Sequence, residues 1–326
     1  MLAAVYQSPG DSSVLEVVEL ETPTPGPGEV RVKIAVSGVN PTDWKSRSST
    51  APADGLPSVP NQDGAGTIDA VGPGVDQSRV GQRVWILLAA KDNRWGTAAE
   101  YSVVPAERAV PLPDSASFEL GASLGVPALT AWHCLNIAGP ISGLTVLASG
   151  GAGAVGRAAI ELSRFQSAKH VIATVSGPEK ARIATAAGAQ TVVNYRDHDA
   201  ADQIRAAAPD GVDRFVEVAI HQNIGLDIAV AARYAVISSY AADADTVVEL
   251  PVRELMAPNI SLCFMLLYMV RPEDLRKAIE GVSAALEAGA LTEPPLHRFP
   301  LERTADAHDA VEQGAVGKVL VDLAAR

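Results

Sequence analysis

The stretch Leu144-Thr145-Val146-Leu147-Ala148-Ser149-Gly150-Gly151-Ala152-Gly153-Ala154-Val155-Gly156 decides how the rest of the chain is read. The apolar run from Leu144 to Ala148 has the composition of a buried strand, and it passes directly into glycines at 151, 153 and 156. From about Gly153 to Phe165 a helix is expected, with Val155, Ala158, Ala159 and Leu162 on its apolar face and Arg157, Glu161 and Arg164 facing away. Strand, glycine-rich turn and helix in that order are the setting of a dinucleotide fingerprint. Gly151 is expected to allow the tight turn, Gly153 to let a pyrophosphate reach the backbone, and Gly156 to bring helix and strand close. The first-turn amides, at Ala154 and Val155, then meet the anion. A purely structural turn is the competing reading, since any strand-to-helix turn favours glycine.

Downstream the same alternation continues, which favours the nucleotide. Strands are expected at His170 to Val175, Thr191 to Tyr195, Val212 to Val218 and Tyr234 to Ser238. Helical segments separate them, one opening at Pro178 and stopped by Gly188, as in a parallel sheet with crossover helices. Upstream the texture differs. Val30, Val32, Ile34 and Val36 alternate with Arg31 and Lys33, a period of two that suits a half-buried strand. Further short runs at Thr67 to Val71, Arg83 to Ala89, Glu100 to Val104 and Arg108 to Leu112 predict a β-rich barrel or sandwich. Beyond Pro272, Leu275, Ala278, Ile279, Val282 and Leu286 mark a helix, and Lys318 to Leu323 reads as a strand.

With 326 residues the chain suits two domains. Its 38 acidic against 26 basic residues leave a net charge of -12, which repels the phosphate polymer that a nucleic-acid reader must neutralise. Two cysteines, Cys134 and Cys263, cannot build a four-cysteine zinc site or a disulfide framework. The longest apolar stretch, Ile260 to Val270, is about half of what a bilayer-crossing helix needs, and no basic-then-apolar leader opens the chain. A cytosolic protein with no membrane or nucleic-acid partner is expected.

The residue closing the second strand selects the nucleotide, because a carboxylate there takes the ribose hydroxyls of NAD and repels the 2′-phosphate of NADP. Ser176 stands at that place, with Lys180 one helical turn later. The expected cofactor is therefore NADPH. Lys180 reads alternatively as a solvated helix lysine; Arg182 and Tyr195 are candidate auxiliaries at the adenosine end. Ser238, Ser239 and Tyr240 close a parallel strand, where ligands approach such sheets, and are candidates for nicotinamide or substrate contacts.

Segments spread along the chain resemble the medium-chain dehydrogenase/reductase superfamily, and within it the zinc-free quinone oxidoreductases related to zeta-crystallin. They are Ser37-Gly38-Val39-Asn40-Pro41-Thr42-Asp43, Asp63-Gly64-Ala65-Gly66-Thr67-Ile68, Gly81-Gln82-Arg83-Val84, Thr130-Ala131, the glycine motif, Gly188-Ala189 and Gly317-Lys318-Val319. The resemblance implies a chaperonin-10-like β-barrel domain from residues 1–124 and 271–326, enclosing an inserted Rossmann domain, a doubly wound parallel sheet, over 125–270. It also implies that Asn40, Gln62 and Val126 stand at the three zinc-ligand places of the alcohol dehydrogenase branch. Two amides and a hydrocarbon cannot hold zinc, so no metal is expected.

By resemblance, Asn40 is the amide donor near the acceptor oxygen, with Gln62 beside it, and Thr130 lies near the nicotinamide ribose or the substrate. Asn40 also reads as a turn residue before Pro41. Trp44, leading the loop Lys45 to Leu56, is either a wall for a flat acceptor or an interdomain plug. Relatives pair the strand matching Ile260 to Val270 across a two-fold axis, so a homodimer through a buried strand there is expected. Without a Lewis acid, the plausible acceptors are already electrophilic. The leading expectation is an NADPH-dependent quinone reductase working in an interdomain cleft. An NADPH-dependent alkenal or enone reductase and a non-catalytic NADPH-binding sensor or structural protein are the alternatives.

Overall fold

A computed structural model describes residues 1–52, 55–243 and 245–323. Along the chain come β1 (Leu2–Val5), β2 (Glu16–Glu19), β3 (Glu29–Val39), α1 (Pro41–Ser49), β4 (Asp63–Val71) and β5 (Arg83–Ile86). Next are β6 (Tyr101–Pro105), β7 (Ala109–Pro111), α2 (Phe118–Gly121), α3 (Gly125–Asn136), β8 (Thr145–Ser149) and α4 (Ala154–Phe165). Then follow β9 (His170–Val175), α5 (Pro178–Ala186), β10 (Thr191–Asn194), α6 (Ala200–Ala207), β11 (Val212–Glu217) and α7 (Ile220–Val230). The chain continues through β12 (Ala231–Ser239), α8 (Val252–Met256), β13 (Ser261–Phe264), α9 (Pro272–Glu287), β14 (Leu296–Pro300), α10 (Thr304–Glu312) and β15 (Lys318–Asp322).

Two compact units result: Met1–Val126 with Glu293–Arg326, and the continuous segment Pro127–Thr292. In the first, a seven-stranded sheet runs β14-β15-β3-β4-β5-β7, with β6 also on β3. All its pairings are antiparallel except β14 with β15. The alternation in β3 does what a period of two requires: Val30, Val32 and Ile34 pack with Ile68, Val84, Ile86 and Val104.

The second unit is a six-stranded parallel sheet in the order β10-β9-β8-β11-β12-β13. The strand order reverses between β8 and β11, and such sheets bind ligands outside the carboxyl ends at that point. Every residue of β8 is buried, because helices cover both faces. Leu147, Ile172, Val193, Phe215 and Ile237 contribute to its core, one from each of five neighbouring strands.

Three sequence expectations are revised. Ile260 to Val270 is not a buried strand: only Ser261–Phe264 is extended, at the outer edge of the sheet and bonded to β12. Phe264, Leu266 and Met269 are largely exposed. The outward face expected of α4 holds at Arg164, which is exposed, but fails at Arg157 and Glu161, which are buried in an ion pair of 2.9 Å. Thr292 caps them: Arg157 Nη1 donates to its carbonyl at 2.6 Å, and its hydroxyl donates to Glu161 Oε1 at 2.6 Å. Finally, α9 packs on α4 and the second unit runs on to Thr292, past the expected end at Val270. Gly281 of α9 lies so close to the Trp132 indole that any Cβ there would collide with it.

Candidate functional site

In the second unit the glycine turn follows β8. Its left-handed residue is Gly150 (φ 66°), one position before the expected Gly151. Gly151 is required for space instead, since a Cβ there would come within 2.7 Å of the Ala173 Cβ on β9. At Gly156 a Cβ would collide with the Gly150 carbonyl, which is the close helix-to-turn approach expected. Gly153 caps α4 in extended conformation, and a Cβ on it would meet only the Gly150 oxygen, at 3.3 Å. The first amides of α4, from Ala154 and Val155, therefore stand behind an uncluttered turn.

At the carboxyl ends of the flanking strands, Ser176 directly follows β9, and Lys180 lies in the first turn of α5. Tyr195 is brought beside them, its N–H donating to the Val175 carbonyl at 3.1 Å. The Arg196 guanidinium lies 5.8 Å from the Tyr195 ring, and Arg182 is exposed. Ser176 and Lys180 thus follow β9 in the chain, and Tyr195 follows the neighbouring β10.

Ser238 and Ser239 are buried at the end of β12, and the Ser238 hydroxyl donates to the Cys134 carbonyl of α3 at 3.1 Å. Thr130 is buried one turn before Cys134 on that helix. Burial pushes the Tyr240 phenol well above its usual range, so the ring stays neutral.

Sequence reasoning passed over a buried acid at the strand-order reversal. Glu217 accepts from the Ser149 hydroxyl, from the Ala219 N–H at 2.5 Å and from Asn223 Nδ2 at 2.9 Å. Burial, with Glu217 alongside, raises the Asp227 carboxyl well above the usual carboxylate range. The signal available was a glutamate closing a strand directly after Phe215 and Val216.

In the first unit, Asn40 ends the approach to α1 and is almost fully buried. Its backbone N–H donates to Asp43 Oδ2 at 2.7 Å, and the Gln62 N–H donates to Asp43 Oδ1 at 3.1 Å. Asp43 therefore staples the start of α1 to the loop before β4. Burial, reinforced by Asp63, pushes its carboxyl up to about 7. The Asn40 side chain donates from Nδ2 to Asp63 Oδ2 at 2.7 Å and accepts at Oδ1 from Lys318 Nζ, also at 2.7 Å. Lys318 lies 3.1 Å from Asp63 Oδ2, and Asp63 Oδ1 accepts from the Val126 N–H at 2.8 Å.

Gln62 is buried beside this group, its Oε1 accepting from the Ala90 N–H at 3.1 Å. The turn that delivers it has Asn61 at φ 77°, held by bonds to the Ser37 hydroxyl and the His308 ring. Trp44 lies on α1, half-buried, with Lys45 Nζ 5.7 Å from its ring. Residues 45–49, expected as loop, are thus helical, while Ala53 and Asp54 of that stretch lie outside the described residues.

Comparison with known proteins agrees with both halves. Residues 26–114 match the model of the alcohol dehydrogenase GroES-like domain, and 154–284 match that of the zinc-binding dehydrogenases. The quinone oxidoreductase of Lama guanicoe is 30% identical over 94% of this chain and 93% of its own. The chain belongs to the quinone oxidoreductase family. Its fold is that of the medium-chain dehydrogenases and reductases, a GroES-like domain with a Rossmann sheet. A solved NAD-dependent alcohol dehydrogenase superposes with a TM-score of 0.87 at 29% identity, covering 99% of each chain. A mycobacterial protein solved with NADPH gives 0.84 at 29% identity, covering 99% of this chain and 100% of that one.

The name of the second family model raises the question of a metal, which the donor chemistry answers. Asn40 offers an amide oxygen already bonded to an ammonium, Gln62 one bonded to a backbone amide, and Val126 has no side-chain donor. This set does not fit a zinc ion. Among the described residues no three His, Cys, Asp or Glu side chains cluster in a way that could hold one.

Proposed function

We propose that this chain is an NADPH-dependent, zinc-independent quinone reductase. The observation that carries the reading is the buried Asn40-Asp63-Lys318 group: Asn40, which by resemblance stands at one of the zinc-ligand places, is an amide hydrogen-bonded to a carboxylate and an ammonium rather than a metal-binding side chain. Without a Lewis acid, the acceptor must itself stabilise an incoming pair of electrons, as a quinone does over its ring and two oxygens.

For the cofactor, the glycine turn fits a pyrophosphate, because Gly153 leaves the α4 amides open and Gly150 takes the backbone out of the way. Ser176, with Lys180 and Tyr195 beside it, carries no charge that would repel a 2′-phosphate. The mycobacterial neighbour solved with NADPH supports the same choice. Bound NADPH supplies the hydride. Asn40 offers an N–H to the acceptor oxygen, Thr130 and Tyr240 orient the ring systems, and Trp44 gives a flat acceptor an apolar wall. A proton from solvent completes the hydroquinone, so quinone, hydride and one proton balance the product.

We further propose that the working form is a homodimer. Among the described residues β13 bonds only to β12, and beside it a cavity of about 400 Å³ is lined by Trp132, Ile137, Phe264, Leu266 and Met269 together with charged side chains such as Arg271 and Asp274. A second copy of this strand satisfies both the open edge and the apolar side chains. Two cysteines without a disulfide suit the cytosol.

The test follows the oxidation of NADPH and of NADH against panels of quinones, conjugated enones and aliphatic ketones. Turnover of quinones with a preference for NADPH is expected. Activity confined to enones, tighter use of NADH, or brisk turnover of simple ketones would overturn the reading.

A further inference from the structure

A side-chain amide has one end that accepts hydrogen bonds and one that donates, and which end faces a substrate decides whether it helps or repels a reacting oxygen. Asn40 is held at both ends by groups that tolerate only one orientation. Lys318 Nζ can only donate, and it meets Oδ1 at 2.7 Å. Asp63 is an acceptor in its ionised form, and it meets Nδ2 at 2.7 Å. Turning the amide over would set its N–H groups against an ammonium and its oxygen against a carboxylate.

The arrangement is costly, which makes it informative. The side chains of Lys318 and Asp63 are 2% and 0% exposed, and a buried ion pair contributes little net stability over apolar residues of the same volume. The sequence also gives up side chains around it. A Cβ at Gly38 would lie 2.9 Å from Lys318 Cε and would strike the Ala122 carbonyl, and one at Gly125 would lie 2.8 Å from Asp63 Cγ. Neither glycine has the positive φ that would otherwise call for it.

Building on the reductase reading, we infer that Lys318 and Asp63 are positioning residues that lock the Asn40 amide in the one orientation that keeps its second N–H on offer to the acceptor oxygen. One Nδ2 hydrogen is committed to Asp63 while the oxygen is turned toward Lys318, which leaves the other Nδ2 hydrogen as the side chain's remaining donor. Lys318 thereby does by hydrogen bonding what a ligated metal does by coordination: it fixes the electrophilic contact before the acceptor arrives.

The experiment pairs kinetics with a direct view of the amide. In Lys318→Met, kcat for quinones is expected to fall about tenfold or more, as when an oriented donor is lost, while the NADPH dissociation constant stays unchanged. In an Asn40→Ala background the same substitution should add nothing, because Lys318 acts through Asn40. The ¹⁵N–¹H spectrum, with the Asn40 side chain assigned by its loss in Asn40→Ala, should show two well-separated amide protons that converge in Lys318→Met.

Unchanged kcat, an equal loss in the Asn40→Ala background, or unmoved amide resonances would each overturn the inference. If Lys318→Met does not fold, the charge-neutral pair Asp63→Asn/Lys318→Met carries the same three readouts, with thermal unfolding as the check on folding. Should the parent protein reduce no quinone at all, the function reading falls, and the amide resonances still decide the orientation.

Discussion

Glycines 153 and 156 stand three residues apart in one turn and are needed for different reasons. A Cβ at 156 collides with backbone that cannot yield, so Gly156→Ala should destabilise the protein by about 3 kcal/mol, the cost of overpacking, measurable as a lowered thermal midpoint. At 153 the added methyl finds a single neighbour at 3.3 Å. Gly153→Ala should therefore keep the parental midpoint yet bind NADPH about tenfold more weakly by isothermal titration, since it blocks the approach to the α4 amides. Asp43 carries a pH signature. Its carboxyl is raised to about 7, so between its ordinary range near 4 and 7 the folded chain binds more protons than the unfolded one. Its contribution to stability is then greatest in acid and declines as pH rises to about 7. Urea unfolding of the parent and of Asp43→Asn at pH 5 and pH 8 should show the parent's relative stability dropping at the higher pH; a constant difference would refute this.

Elements whose period matches their burial were legible in the sequence, and those covered by distant parts of the chain were not. The period of two in β3 and the strand, glycines and helix around 144 to 165 lie within a few residues of one another, so local pattern sufficed. The α4 helix shows the limit. Arg157 and Glu161 look like an outward face, yet Thr292, 135 and 131 residues away, closes over them. Burial pulls the Arg157 guanidinium down and the Glu161 carboxyl up, so desolvation outweighs their attraction. Arg157→Ala should cost about 3–5 kcal/mol by leaving Glu161 buried and unpaired, whereas Arg157→Met/Glu161→Leu should be much milder. Chemical denaturation of both variants separates the outcomes. The contact of Lys318 with Asn40 escaped notice for the same reason: Lys318 opens a buried strand whose other residues up to Val321 are apolar, although it lies in the resembling segment Gly317 to Val319. Asn40 and Gln62 were reachable only through resemblance, because nothing in local spacing marks an amide as held by a lysine 278 positions later.

At the scale of the whole molecule the open edge of the parallel sheet dominates what is expected in solution. Light scattering should give a mass twice that of the 33.8 kDa chain. Leu266→Asp/Met269→Asp, on side chains that face water in the single chain, should return the mass to that of one chain while thermal unfolding stays cooperative. A dimer that survives both substitutions would show that another surface joins the copies. The two units also differ in how the chain makes them. Pro127–Thr292 is one uninterrupted run, whereas the first unit is assembled from segments on either side of it. During synthesis on a ribosome the parallel sheet can therefore close while β3 still waits for β15, and the Asn40 amide stays unclamped until Lys318 has emerged. On the proposed reading, competence to bind the nucleotide should precede the clamping of the amide in the nascent chain, because the segment that forms the parallel sheet is complete 26 residues before Lys318 is made.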